Sequence, residues 1–495
     1  MELIKVVEMK TSFGERVKDL EEKLGVNKSF DIIKREINID GKKLVAFFID
    51  GFVKDDMMFW ILSFLQKSKR EEIVPNTITK LITTKIPYVE CDSEKDLQKI
   101  EYFILSGAAA LFIDGVEEAI IVDTRTYPAR GPEEPDLEKV TRGSRDGFVE
   151  TIVFNTALIR RRVRDPNLRF ELLNVGKRSQ TDIAIGYMED ITNEDLIKSL
   201  KDKLKKIETD SLVMAEKSLE EYILGRNWNP LPQAKFTERP DVAAAHLLEG
   251  HVIIIVDTTP SVMILPVTMF HFTQHAEDYY QNPAIGTYIR WIRFLAMILS
   301  YMLPALWLLL VNNKTILPEA LSFIGPKKTG TIPLLIQFII LEIGLDLLRI
   351  ASIHTPNALT TSLGIIGALL LSEFAVKVGW FIPETVLYGA IAGIGMFATP
   401  SIEFAMAIRI FRLILVVFTG LLDIYGFIAG LLIFIVTILR TKSFGGINYL
   451  WPLIPFNKKA LTTILMRKPI PEVRLRPEIL KVKDKDSSPP KDKNN

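Results

Sequence analysis

The chain has 495 residues, with 61 Lys and Arg against 60 Asp and Glu, and a formal net charge of +1. This length predicts about two to four domains rather than one compact core. The near-neutral charge argues against a protein that binds nucleic acid through bulk positive charge.

The charged residues are unevenly distributed along the chain. They are dense up to Arg290, and long apolar runs begin near Trp291. Cys91 is the only cysteine, which excludes an intramolecular disulfide. The N-terminus lacks the continuous apolar core of a secretory signal, so we expect the N-terminal half to stay in the cytoplasm.

Residues 1–135 are predicted to form a leading arm and a small α/β subdomain. Strands are predicted at 44–51, 110–115 and 119–124, and apolar residues at helical spacing predict a helix at 55–67. A connector rich in Pro and charge follows at 123–135.

A second mixed α/β subdomain is predicted at 136–288. Its predicted helices are 150–164, 193–206 and 211–224, and its strands are 181–188, 251–257 and 261–267. The stretch after 251 repeats the Asp-containing turn of the first subdomain. We interpret the repeat as hairpin chemistry, with a duplicated fold as the alternative.

The remaining predicted domains are a transmembrane helical domain at 289–440 and a basic cytoplasmic segment at 441–495, whose tail from Lys481 is expected to be disordered. Five apolar blocks lie at 291–311, 332–350, 363–380, 386–398 and 404–439. The first is long enough to span a hydrocarbon core of about 30 Å. The last is too long for one span and is predicted to divide near Gly420.

Basic residues flank the apolar region on both sides, which places both ends in the cytoplasm. They are Arg290 and Arg293 before it and 440–468 after it. An even number of crossings follows, either four or six. The fold class is therefore an α/β soluble half of two small subdomains, followed by an all-α polytopic membrane bundle.

Charged residues inside the apolar blocks are the candidate pore residues. Glu342, Asp346 and Arg349 share one helical face, since they are spaced i, i+4, i+7. Charges at membrane depth seek a wet cavity or one another, so the face predicts either a pore lining or an interfacial amphipathic helix. Glu373 and Lys377 form a second candidate pair.

Other polar positions in the membrane half have weaker interpretations. Arg409 and Arg412 are interpreted mainly as headgroup anchors of the last block. The hydroxyl- and amide-rich link 351–363 is either an ordinary loop or a constriction, with Thr355, Asn357 and Thr360 as its candidates. The small residues Gly389 and Gly393 are expected to pack helices.

The basic run beside residue 150 is interpreted as a source of ion pairs within or between subunits, in preference to phosphate binding. The oligomer-contact candidates are Glu150, Arg160, Arg161, Arg162 and Arg164. His271 and His275 could be half of a metal site, but no spacing completes it, so we predict no metal and no cofactor. No catalytic motif is present, and we predict that the chain is not an enzyme.

Several strings together resemble the A-subunit family of bacterial spore germination receptors (the GerA type). They are RGSRDGFVETIVFNTALIRRRVR at 142–164, FTERPD at 236–241, LLEGHVIIIVD at 247–257, EDYY at 277–280 and YLWPLIPF at 449–456. The resemblance covers about residues 30–456. Within the family, the strings DTRTYPARG at 123–131, NTALIRRR at 155–162, YMED at 187–190, TPNALTTSL at 355–363 and SEFAVKVGWF at 372–381 resemble an accessory paralogue. Residues 349–356 depart from the pattern of nutrient-receptor subunits, which favours that paralogue.

The resemblance implies a ring-forming, pentameric, ion-conducting protein of the spore inner membrane, which releases monovalent cations during germination and amplifies the receptor response. Its implied partners are membrane lipid, further copies of itself, a small membrane protein and germinant receptor complexes. Two alternatives stay open: a non-conducting scaffold that clusters receptors, and a secondary transporter.

Overall fold

A computed structural model describes residues 13–86, 90–125, 138–225, 228–313, 325–327, 330–354, 364–365, 367 and 373–487. The chain forms two compact units. The sheet unit comprises Met1–Arg226, Ala234–Pro266 and Pro471–Asn495. The helical unit comprises Asn227–Gln233 and Val267–Ile470.

The first sheet of the sheet unit is antiparallel and has helices on both faces. Its strands are β1 (Ile32–Ile39), β2 (Lys42–Ile49), β3 (Cys91–Glu94), β4 (Ala109–Ile113) and β5 (Ala119–Val122), in the order β1-β2-β4-β5-β3. Alternate residues of β2 enter two different cores, because successive side chains of a strand point to opposite faces. This explains why the strand reads as an almost continuous apolar run.

The helices of this half are α1 (Phe13–Leu24), α2 (Asp55–Lys67), α3 (Arg70–Ile73), α4 (Thr77–Lys80), a π-helix (Leu81–Lys85) and α5 (Leu97–Leu105). The buried residues of α1 and α5 share one core with Phe47. Those of α2 share the other core with Leu44. The predicted helix at 55–67 is confirmed with the same bounds.

The second sheet is also antiparallel. Its strands are β6 (Leu168–Val175), β7 (Thr181–Met188), β8 (Lys235–Thr237), β9 (Val252–Val256) and β10 (Val262–Leu265), in the order β6-β7-β9-β10-β8. Its helices are α6 (Ile152–Arg160), α7 (Glu194–Lys205), α8 (Ala215–Leu224) and α9 (Pro240–Glu249).

The two sheets have the same topology. In each, the first two strands pair, the third strand lies at the far edge, and the last two strands fill the gap between them. The hairpins β4-β5 and β9-β10 occupy equivalent positions. Interpreting the repeated Asp turns as hairpin chemistry alone was therefore wrong, because the alternative, a duplicated fold, is what forms.

The C-terminal segment packs on the second sheet's half of the sheet unit. The backbone N–H of Lys483 donates to the carbonyl of Ile191 at 2.9 Å. Leu480 and Val482 are buried, and a Cβ added at Gly250 would lie 2.3 Å from Val482 Cγ1. The predicted disorder therefore does not hold for residues 481–487, because two apolar side chains anchor an otherwise polar segment.

The helical unit contains α10 (Glu277–Tyr280), α11 (Pro283–Asn312), α12 (Leu334–His354), α13 (Ala375–Lys377), α14 (Pro383–Phe397), α15 (Ile402–Arg440) and α16 (Lys458–Leu465). Short 3-10 turns lie at Met269–Phe272 and Phe444–Gly446. Within the described residues, α11 and α15 are long and apolar enough to cross a membrane by length and composition.

Helix α15 is a hairpin of two arms that turn at Asp423, where φ is 51° and ψ is −129°. The rings of Phe411 and Phe434, one on each arm, lie 5.0 Å apart. A Cβ added at Gly430 would lie 2.7 Å from Leu415 Cδ1. The predicted division of the last apolar block near Gly420 is confirmed, three residues further along.

Contacts fix the direction of each helix in the bundle. Along α11, Ser300 contacts Arg412 and Asn312 contacts Asp423, so α11 runs parallel to the first arm of α15. Trp307 packs on both Phe338 of α12 and Tyr388 of α14, at 5.7 and 5.1 Å between ring centroids.

Further along, Ala392 of α14 accepts a hydrogen bond from Ser300, and Glu342 of α12 pairs with Arg412. Helices α12 and α14 therefore both run opposite to α11. At Gly389 an added Cβ would lie 2.2 Å from Leu341 Cδ2, so the predicted role of this glycine in helix packing is confirmed.

Candidate functional site

A cluster of four charged side chains lies inside the helical unit, and we call it the bundle cluster: Glu342, Asp346, Arg409 and Arg412. One oxygen of Glu342 lies 3.2 Å from a guanidinium nitrogen of Arg409, and the other lies 2.8 Å from Nε of Arg412. Arg409 also lies 2.6 Å from Asp346. The cluster therefore joins α12 to the first arm of α15 through carboxylate–guanidinium pairs.

Arg412 connects the cluster to two further helices. Its Nη1 donates to the carbonyl of Ser300 at 3.0 Å, to the hydroxyl of Ser300 at 2.9 Å and to the carbonyl of Ala392 at 3.2 Å. These acceptors are close because α11 and α14 approach tightly, and a Cβ at Gly395 would lie 2.4 Å from the carbonyl oxygen of Ala296. One guanidinium thus bonds to α11, α12 and α14.

The bundle cluster is closed on one side and open on the other. Glu342, Arg409 and Arg412 are at most 3% exposed, whereas the Asp346 side chain is 34% exposed. Arg349, one turn further along α12, is partly exposed and its guanidinium contacts Sδ of Met406. Asp346 and Arg349 therefore form a charged edge at the exposed surface of the bundle.

The charges of the cluster balance. Two carboxylates face two guanidinium groups, and Arg349 adds one positive charge for which no ion pair is recorded within the described segments. A buried charge without a partner is strongly destabilising. We infer that Glu342 stabilises the bundle. Changing the partners of Asp346 and Arg349 at the open edge should cost less free energy of folding.

The structure divides the residues predicted for a pore. Glu342 is buried inside the subunit, where it pairs with Arg409 and Arg412. Asp346 and Arg349 lie at the edge. The interpretation of Arg409 and Arg412 as headgroup anchors is wrong, because both guanidinium groups are buried against Glu342.

The other pore candidates lie away from this cluster or cannot be described. Glu373 and Lys377 form an exposed ion pair of 2.6 Å with each other. Thr355, Asn357 and Thr360 lie outside the described residues.

A second ionic centre lies where α11 begins. Asp278 is fully buried and pairs with Arg290 at 3.2 Å and with Arg293 at 2.8 Å. Arg290 also donates to the carbonyls of Thr463 and Ile464, both at 3.0 Å. The sequence pattern predicts both arginines only as basic flanks of a span. The i, i+3 spacing of the two arginines, close after an acidic motif, was the available signal for this centre.

A third ionic centre lies in the sheet unit. Arg160 on α6 pairs with Asp31 at 3.0 Å, with the two side chains 0% and 1% exposed. Its Nη1 donates to the carbonyl of Leu168 at 3.1 Å, and Ser29 donates to Asp31 at 2.6 Å. This centre joins the first sheet's half of the unit to the second.

The other residues of the basic run have different surroundings. Arg162 pairs with Asp146 at 2.5 Å. Burial raises the pKa of Asp146, but hydrogen bonds from Arg162 and Ser144 outweigh it and hold that pKa below its usual value. Arg160 and Arg162 therefore make ion pairs within the subunit. The remaining oligomer-contact candidates, Glu150, Arg161 and Arg164, have exposed side chains.

The two histidines do not lie on one helix. His271 belongs to the 3-10 turn Met269–Phe272, where its Nδ1 accepts from the backbone N–H of Thr268 at 3.0 Å. His275 precedes α10. Across the described ranges, no group of three His, Cys, Asp or Glu is arranged to hold a metal ion.

Comparisons with known proteins agree with the family resemblance of the sequence. The profile of the family "Bacillus/Clostridium GerA spore germination protein" matches residues 18–479. Stage V sporulation protein AF of Bacillus subtilis (strain 168) is 42% identical over 94% of each chain. This is the paralogue that the strings at 123–131, 155–162, 187–190, 355–363 and 372–381 resemble.

Other relatives are germination proteins. Spore germination protein KA of Bacillus subtilis (strain 168) is 32% identical, over 94% of this chain and 86% of that protein. Spore germination protein GerLA of Bacillus cereus is 31% identical, over 97% of this chain and 98% of that protein.

One solved structure is similar to part of the chain. The N-terminal domain of the A subunit of the Bacillus megaterium spore germinant receptor GerK3 covers 52% of this chain and 96% of its own, with 25% identity and a TM-score of 0.42. The match of the family profile over nearly the whole length carries the conclusion: the chain belongs to the GerA family of spore germination proteins.

Proposed function

We propose that the chain is a subunit of an oligomeric channel that passes monovalent cations across the spore inner membrane during germination and amplifies the response of germinant receptors. The observation that carries this proposal is the charged edge formed by Asp346 and Arg349. Polar groups in an apolar bundle are tolerated where they face water or one another, and Asp346 is held at this edge by its ion pair with the buried Arg409.

We propose that Asp346 gives this edge a preference for cations and that Arg349 opposes it. In a ring, symmetry repeats Asp346 around the axis, and a ring of carboxylates concentrates cations while a ring of basic groups repels them. We assign the attraction to Asp346, a limiting barrier to Arg349, and the positioning of α12 to Glu342. Glu373 and Lys377 are proposed as a further charged pair along the pathway.

We propose a ring because α11, α12, α14 and the two arms of α15 pack on one another within one subunit, so that a pore is expected between subunits. Closed rings are the usual outcome of head-to-tail contacts between identical subunits, and we propose a pentamer. The exposed side chains of Glu150, Arg161 and Arg164 are its proposed contacts in the sheet unit.

The proposed topology is multi-pass, with both termini in the cytoplasm. Helices α12 and α14 run in the same direction, and we propose six crossings in preference to four. The start of α11 and the end of the second arm of α15 then lie on the same side of the membrane.

The names of the relatives support a role beside germinant receptors. Two are named spore germination proteins, and the solved domain belongs to the A subunit of a germinant receptor. We propose association with such complexes and with a small membrane protein. A non-conducting scaffold is the second candidate, favoured by the surface described in the next subsection.

Flux from liposomes separates these functions. The purified full-length chain, with its oligomer size measured in mild detergent, is reconstituted into vesicles loaded with K⁺. We expect passive K⁺ efflux that scales with the number of assembled rings. Intact rings without efflux would favour the scaffold, efflux that requires a counter-transported ion would favour the transporter, and a monomer in detergent and in crosslinked membranes would contradict the ring.

A further inference from the structure

Helix α2 of the sheet unit exposes three aromatic side chains on one face. Phe59, Trp60 and Phe64 are 66%, 58% and 43% exposed. Their rings lie close together, with centroids 5.8 Å apart for Phe59 and Trp60 and 6.1 Å apart for Trp60 and Phe64. We call this surface the aromatic face.

The aromatic face is not needed to hold α2 on its sheet. Met58, Ile61 and Leu65, on the opposite side, are buried in the core beneath the first sheet. A surface helix ordinarily shows polar residues on the side away from its core. A contiguous exposed apolar surface of this kind marks an interaction site.

Two opposite charges bracket the aromatic face. Asp56 and Lys67 are both exposed, and neither has an ion pair recorded within the described part of the chain. They are eleven residues apart, close to three whole turns, so they lie on the same side of the helix about 16 Å apart. The aromatic side chains lie between them.

This arrangement is complementary to itself. When a second copy of α2 packs antiparallel on the first, Asp56 of each copy faces Lys67 of the other, and the aromatic side chains meet in the middle. An isologous contact of this kind needs the same patch on both partners.

The charge around the helix does not favour a lipid surface. Residues 54–72 contain four basic residues, Lys54, Lys67, Lys69 and Arg70, and four acidic ones, Asp55, Asp56, Glu71 and Glu72. Binding to anionic headgroups is strengthened by an excess of basic residues, which this segment lacks.

We propose that the aromatic face docks a second copy of this chain through an antiparallel pairing of α2 helices. The contact closes on itself with two-fold symmetry, so it cannot propagate around a ring of five and instead joins one assembly to another. The inference stands apart from ion conduction, because the surface could link rings whether or not they conduct.

Crosslinking of the full-length chain in membranes tests the pairing. Cys91 is replaced by Ala, and Ser63, which lies within the aromatic face, is replaced by Cys. Antiparallel pairing that sets Asp56 against Lys67 brings the two Ser63 positions within about 5 Å along the helix axes. A short bis-maleimide should therefore give a covalent dimer in high yield.

Charge reversal then distinguishes self-pairing from other contacts. Asp56→Lys or Lys67→Asp should each reduce the dimer yield several-fold, and the double variant should restore it. Asp55→Lys, the same change at an exposed site off the aromatic face, is the matched control and should leave the yield unchanged. Detergent sizing of each variant should give an unaltered ring, which separates failure of this contact from failure of the ring.

Three outcomes would overturn the proposal. One is a dimer yield that charge reversal leaves unchanged, and another is a loss that the double variant fails to restore. The third is photocrosslinking of α2 in the full chain to phosphatidylcholine probes in the membrane. If this crosslinking were lost in Trp60→Ser, the aromatic face would be assigned to lipid.

Discussion

Two buried ionic centres, one in each unit, use the same side chains in different ways. In the sheet unit, Arg160 and Asp31 enclose each other and have essentially no exposed surface. In the helical unit, Glu342 is almost as buried, but it pairs with two arginines, and one of them, Arg409, also pairs with the partly exposed Asp346.

The difference indicates what each centre can do. A closed pair with all its donors bonded fixes the geometry of two packed halves. A cluster with one open edge fixes a helix and at the same time exposes a charge at the surface of the bundle. We therefore assign a structural role to the Arg160 centre, and for the bundle cluster we propose a role in ion passage besides its structural one.

The largest expected effect comes from breaking the bundle cluster at Glu342. Glu342→Gln leaves Arg409 and Arg412 buried without their shared carboxylate, and removing one partner of a buried pair typically costs about 3–5 kcal/mol. We expect a large loss of folded, assembled protein, measured as the yield and melting temperature in detergent. Normal yield and stability would show that Glu342 does not hold the bundle.

Breaking the closed centre of Arg160 and Asp31 should destabilise the protein less than breaking the bundle cluster, because only one arginine loses its partner. Asp31→Asn strands Arg160 and should destabilise the sheet unit by about 3 kcal/mol, measured by thermal unfolding of the full chain. Asp210→Asn, which removes an exposed ion pair with Arg178, is the control and should leave the transition almost unmoved. Equal effects of the two changes would contradict the assignment.

Arg349 should affect ion passage with little effect on stability. Arg349→Gln removes one positive charge from the open edge, and a change of about 1 kcal/mol in the local potential alters cation occupancy about fivefold. K⁺ efflux per assembled ring should rise by up to that factor. A fall in efflux, with rings intact, would place Arg349 outside the barrier.

Cys91 provides the smallest effect and a check on the sheet unit. Burial, with a contribution from Asp92, raises the pKa of the Cys91 thiol to about 11, and only the thiolate reacts with maleimides or aromatic disulfides. Labelling of the native protein should be slow at pH 8 and should accelerate about tenfold per pH unit towards that pKa. Rapid labelling at pH 7 would show that strand β3 opens readily.

Hydropathy and spacing predicted part of both units, including α2, β7 and the division of the last apolar block, but not β1, β6 or α9. They did not predict the partners of the buried charges, because Glu342 and Arg409 are 67 residues apart and meet only through helix packing. For the same reason, the sequence did not predict the pairing of Asp31 with Arg160. Local patterns carry the period of a helix, whereas the pairing of charges is a property of the assembled core.

The duplication of the sheet could not be predicted from the sequence for a related reason. The order of strands follows from which edges pair, and β3 and β8 are short edge strands of four and three residues with no strong apolar pattern. In the C-terminal segment, two buried side chains, Leu480 and Val482, decide the docking of a segment whose composition predicts disorder.

The central claim is that the open edge of the bundle cluster lies on a cation pathway. The most direct measurement is K⁺ efflux per assembled ring for Asp346→Asn in liposomes, beside Asp423→Asn, the same change at the exposed turn between the arms of α15. We predict that Asp346→Asn lowers efflux about fivefold with rings intact, while Asp423→Asn leaves it unchanged. Unaltered efflux per ring in Asp346→Asn would remove this edge from the pathway and contradict the account.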